Sequence, residues 1–103
     1  MKQHRRSRPY ALPPALRELP GADLIVTGLR DLSTGRESTE ALVVSIGAPR
    51  LRRLAIAVTA PFDDPEDRLY ERLALEHGDG AHSRYNALIR RLVSFERAAS
   101  CAS

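Results

Sequence analysis

Apolar positions recur at helical spacing through most of this chain and predict an all-α fold, a small single-domain bundle of four or five short helices. Leu24, Ile25, Gly28, Leu29 and Leu32 share one face of a helix from about Ala22 to Leu32. Asp23 in its first turn suits the helix dipole, Gly35 supplies a stop, and Val26 lies off the apolar face. Gly28 costs about 1 kcal/mol of helix propensity, a loss that close approach of another helix would offset.

A second helix is expected from about Thr39 to Ile46, with Ser38 as N-cap, Glu40 in the first turn and Gly47 as the stop. Leu42, Val43, Val44 and Ile46 point all round it, so the element should be buried on several sides. The same residues, 42–46, also read as a buried strand. Pro49 then opens a short third helix, about Pro49 to Leu54, and residues 55–62 form an extended connector anchored by Ile56, Val58 and Phe62.

The last forty residues predict a helical hairpin. Asp64 caps, Pro65 takes the first helical position, Glu66 and Asp67 follow, and His77 with Gly78 ends the helix. Its apolar face is Leu69, Tyr70, Leu73 and Ala74, with Leu75 off it. After the Gly78–Gly80 turn a final helix should run from about Ala81 to Ala99. Tyr85, Leu88, Ile89, Leu92, Phe95 and Ala99 form its inner face.

Residues 1–20 read differently. Pro9, Pro13, Pro14 and Pro20 disfavour helix, so a flexible basic, proline-rich arm is expected, disordered to about Tyr10 and partly docked beyond it through Leu12, Leu16 and Leu19. The helical domain then covers residues 21–100.

The chain has 103 residues, 43% of them apolar, enough for one domain with a core of Leu, Ile, Val and Ala. The net charge of +3 is concentrated in the arm, where Lys2, Arg5, Arg6 and Arg8 face no acid; the rest of the chain is near neutral. The high isoelectric point therefore belongs to the tail and does not by itself argue for a nucleic-acid-binding body. Residues 61–80 are strongly acidic and residues 81–103 basic, so the arginines of the final helix, Arg84, Arg90 and Arg91, are expected to pair with Glu71, Glu76 and their neighbours. The near-exclusive use of arginine over lysine points to a high-GC genome. No apolar run approaches the ~20 residues a membrane span needs, and no secretory signal follows the basic start, so a cytoplasmic location without membrane contact is expected.

Several constellations carry candidate chemistry. Residues 39–56 resemble a helix-turn-helix, but Val43 and Arg53 stand where that motif needs a small and an apolar residue. Arg50, Arg52, Arg53, Arg90 and Arg91, with Arg5, Arg6 and Arg8 of the arm, form a candidate phosphate-binding set, without interleaved aromatics for base stacking. His77, Asp79 and His82 offer metal-ligating atoms in a segment that capping and turn formation already explain. Asp63, Asp64, Glu66 and Asp67 are similarly explained by the helix start. Cys101 is single and cannot form an internal disulfide. Ser83, Ser94 and Ser100 lack a nucleophile elbow, and no phosphate-cradling glycine loop occurs. No catalytic residue, metal or cofactor is assigned. The leading expectation is a non-enzymatic module binding another protein or itself; the alternative is a nucleic-acid-binding accessory protein using the arm and the arginines.

Overall fold

The computed structural model describes residues 12–102. The expected disorder of residues 1–10 lies outside them. All regular structure among the described residues is helical. A 3-10 turn at Pro14–Leu16 precedes α1 (Ala22–Ser33), α2 (Thr39–Arg53) and α3 (Pro65–His77); a second 3-10 turn, Gly78–Gly80, leads into α4 (Ala81–Ala102). The approach segment is docked as expected. Leu12 is buried, Leu16 and Leu19 pack against the core, and the Arg17 Nε donates to the Leu12 carbonyl at 3.1 Å.

Helix α2 is the axis of the molecule and packs against α1, α3 and α4. Leu42, Val43 and Val44 are consecutive and all fully buried, which requires neighbours on every side. That environment, with Ser38 as cap, selects helix over strand for residues 42–46. The Ser38 hydroxyl accepts from the Ala41 N–H at 3.1 Å and donates to the buried Asp31 carboxylate at 2.6 Å. One side chain thus satisfies an orphan donor of α2 and ties α2 to the end of α1.

The expected stop at Gly47 does not occur. Helix α2 runs through Gly47 and Pro49 to Arg53, so the separate helix at 49–54 and the turn of a helix-turn-helix are both absent. An interior proline costs ~3 kcal/mol or more. Buried Ala48 and Leu51, on either side of it, hold the chain in line. Gly47 serves packing instead: a Cβ there would sit 2.8 Å from Leu92 Cδ1 and 3.0 Å from Glu96 Oε2 of α4. Gly28 does the same for α1, where a Cβ would collide with the Glu40 carbonyl and Val44 of α2.

The true end of α2 has the same geometry as the end of α1. After α1, the Gly35 N–H bonds the Leu32 carbonyl and the Arg36 N–H bonds that of Asp31. After α2, the Ala55 N–H bonds the Arg52 carbonyl and the Ile56 N–H bonds that of Leu51. Both are Schellman motifs. The left-handed position is glycine in the first (φ 74°) and alanine in the second (φ 65°). Arg52 then clamps the following connector by donating from Nη2 to the Val58 carbonyl at 2.8 Å. The Ser45 hydroxyl accepts from the Phe62 N–H at 3.0 Å, so the connector returns along α2.

Three smaller expectations are also corrected. Asp64 precedes α3 but adopts a left-handed backbone, φ 48°, and its side chain makes no capping bond. Tyr70 and Ala74 are exposed, leaving Leu69 and Leu73 as the buried residues of α3; Tyr70 instead lies against Tyr85, ring centroids 5.9 Å apart. Helix α4 continues to Ala102, carrying Cys101 on an exposed last turn.

Two substitutions test these packing arguments. Gly28→Ala should destabilise the fold by about 1–3 kcal/mol, because a backbone carbonyl cannot move aside. Gly47→Ala should cost clearly less, since the Leu92 methyl can rotate and alanine improves helix propensity by about 1 kcal/mol. Urea denaturation of both variants measures the difference. Ala55→Gly should stabilise by up to about 1 kcal/mol in the same assay. It relieves the ~1–2 kcal/mol left-handed penalty at the cost of extra unfolded-state entropy.

Candidate functional site

The C-terminal halves of α2 and α4 do not close on one another completely. Between them lies an open cleft of about 330 Å³ bounded by Arg50, Arg53 and Leu54 on one side and Val93, Glu96, Arg97 and Ser100 on the other. A second hollow of about 290 Å³ adjoins it toward the middle of the helices. It shares Arg50, Val93 and Glu96 and adds Ile46, Pro49, Ile89 and Leu92. The result is a groove with aliphatic walls and an arginine rim.

Helical spacing produces this composition. Ile89, Val93, Glu96 and Ser100 follow one another at three or four residues along α4. Ile46, Arg50 and Arg53 do the same along α2, and Arg97 flanks the α4 row. The α4 surface therefore changes from aliphatic to polar along the groove.

Glu96 is the anomaly. Its side chain is only 8% exposed, and its Oε1 lies 3.6 Å from Arg50 Nη1, whose own side chain is 69% exposed. Burial pushes the Glu96 carboxyl above the ordinary glutamate range, while the charge and hydrogen bonding of Arg50 pull the other way and only partly compensate. Arg53 and Arg97 make no hydrogen bond or ion pair among the described residues.

The arginines singled out from the sequence are dispersed. Arg50 and Arg53 reach the groove. Arg52 is occupied by the Val58 carbonyl. Arg91 pairs with Asp23 at the start of α1, 3.1 Å from Oδ2, and Arg90 is exposed on α4. The expected pairing of Arg84, Arg90 and Arg91 with the acidic segment is not formed. Of the α3 acids, Glu76 pairs with Arg72 of the same helix, while Arg68 and Arg72 reach Glu37 beside the start of α2. Arg5, Arg6 and Arg8 lie outside the described residues. Val93, Glu96 and Arg97 are site residues that the sequence reading did not single out. The only signal available was an isolated acid on the basic helix α4.

The other candidate sets do not assemble. Among the described residues no three His, Cys, Asp or Glu side chains converge as a metal site. His82 pairs with Asn86 and His77 with Glu76. Asp63, Asp64, Glu66 and Asp67 are all exposed. Among the described residues no helix is long and apolar enough to cross a membrane. No protein-family model, curated protein or solved structure matches this chain.

The sign of the Glu96 effect on stability follows from its environment. A folded-state pKa above the unfolded value means that the folded protein binds the proton more tightly. The ionised side chain therefore costs stability at neutral pH. That cost is relieved as pH falls through the folded pKa toward the ordinary value of 4.5. Glu96→Gln should accordingly be more stable than the native protein at pH 7, with the gap narrowing as pH is lowered toward that value. Denaturant titrations across this range measure it; a Gln variant less stable at pH 7 would mean that the Arg50 interaction outweighs burial.

Proposed function

We propose that the protein is a small, non-enzymatic interaction module that docks a segment of a protein partner in the groove between α2 and α4. The observation that carries this reading is the combination of an open aliphatic groove with two rim cations, Arg53 and Arg97, that have no partner among the described residues. Apolar walls with an arginine rim are the composition of a protein-recognition surface, in which aliphatic contacts give affinity and the rim gives orientation. Catalysis is a poorer fit. Glu96 is the sole acid lining the groove and faces arginines, so no acid–base pair is at hand for a reacting group.

One observation favours the nucleic-acid alternative: Arg50, Arg53 and Arg97 converge on one cleft, and the basic arm adds further charge. Against it, no aromatic side chain lines the groove, and the aliphatic walls have no counterpart on a phosphate backbone.

A photo-reactive amino acid at Val93, with a control at Leu75, which is 90% exposed on α3, separates the readings. In extracts of the source cells, position 93 should give protein adducts that survive nuclease treatment, and position 75 should not. Nuclease-sensitive adducts at 93, or equal labelling at the two positions, would overturn the docking assignment.

A further inference from the structure

We propose that the occupant of this groove is an acidic amphipathic helix of another protein, with carboxylates seated on Arg53 and Arg97 and aliphatic side chains laid against Leu54 and Val93. This rests on the docking function above and names the chemistry of the partner.

Charge complementarity carries the proposal. The groove holds three arginines and one acid. Glu96 already engages Arg50, which leaves Arg53 and Arg97 to be satisfied from outside. A guanidinium presents a planar fork that matches a carboxylate with two parallel bonds, so an acidic partner satisfies these rims better than a neutral one. The buried Glu96 sharpens the selection. An anion pushed to the floor of the groove meets its negative charge, so a partner keeps its acids at the rim and turns apolar atoms inward. Acids on one flank and aliphatics on the other, along a trough between two helices, describe an amphipathic helix.

A second copy of this chain does not supply such a segment from its acidic region. Asp63, Asp64, Glu66 and Asp67 are exposed, but the aliphatic residues that follow at helical spacing, Leu69 and Leu73, are buried in the chain's own core. A phosphate backbone offers the charge without the apolar face.

The test is a display selection of random 16-residue peptides on the native protein, followed by titration of the enriched peptides. Enriched sequences should be net acidic with aliphatic residues three and four apart. Arg53→Glu with Arg97→Glu should weaken their binding at least about tenfold. The milder pair Arg53→Gln and Arg97→Gln should give a smaller loss in the same direction, and thermal melts check that both variants remain folded. Enrichment of basic or neutral peptides that Val93→Arg still abolishes would overturn the acidic partner and leave the groove as a docking site. Enriched peptides indifferent to Val93→Arg would overturn both. Binding of a labelled DNA duplex that outcompetes the peptides and depends on Arg53 and Arg97 would overturn the protein partner in favour of nucleic acid.

Discussion

Burial of α2 on all sides is the constraint on which the rest of the structure depends. A helix with Leu42, Val43 and Val44 all inaccessible cannot rest on one neighbour; three others must surround it. A chain of this size has little surface to spare, so the helices must come close. Two glycines set the distances, Gly28 on the α1 side and Gly47 on the α4 side. The contacts differ in kind. At Gly28 the obstacle to any side chain is backbone, so the α1–α2 spacing is rigid. At Gly47 the neighbours are the tips of Leu92 and Glu96, so the α2–α4 spacing has some freedom. The groove lies on the freer side.

Much of the fold was legible in the sequence because its determinants are local. Ser38 caps α2, Pro65 and Gly78 bound α3, and the five-residue apolar face of α1 is buried throughout. The misreading of α2 has one cause: residues whose ordinary local meaning is overridden by packing. Gly47 and Pro49 read as a break, yet glycine was needed for α4 and proline was tolerated between buried Ala48 and Leu51. The actual break stands at Ala55, which has no sequence signal because alanine is not expected at a left-handed position. Asp64 likewise has the identity of a cap but the wrong backbone to act as one.

The site was less legible than the fold, because it arises from elements about forty residues apart in sequence. Arg50 and Arg53 could be noticed as a basic cluster, but not separated from Arg52, which points away to hold the connector. Arg97 lay among four arginines of α4 with nothing to distinguish it. Glu96 was the least visible. An acid on a basic helix reads as a surface ion pair, and only the approach of α2 at Gly47 buries it.

Glu96 sits at the place where the groove opens. With a leucine at that position the α2–α4 seam could continue as an aliphatic contact of the kind made by Leu92 and Phe95, and the helices would have reason to close over it. A carboxylate cannot be sealed inside without losing its water, and replacing buried charge with apolar packing is often neutral or stabilising. The seam is open where Arg50, itself largely exposed, reaches Glu96, and Arg53 and Arg97 line the same cleft. The buried carboxylate and the open cleft are in this sense one feature. The fold gives up packing at Glu96, and the same opening leaves two cations facing solvent above an aliphatic wall.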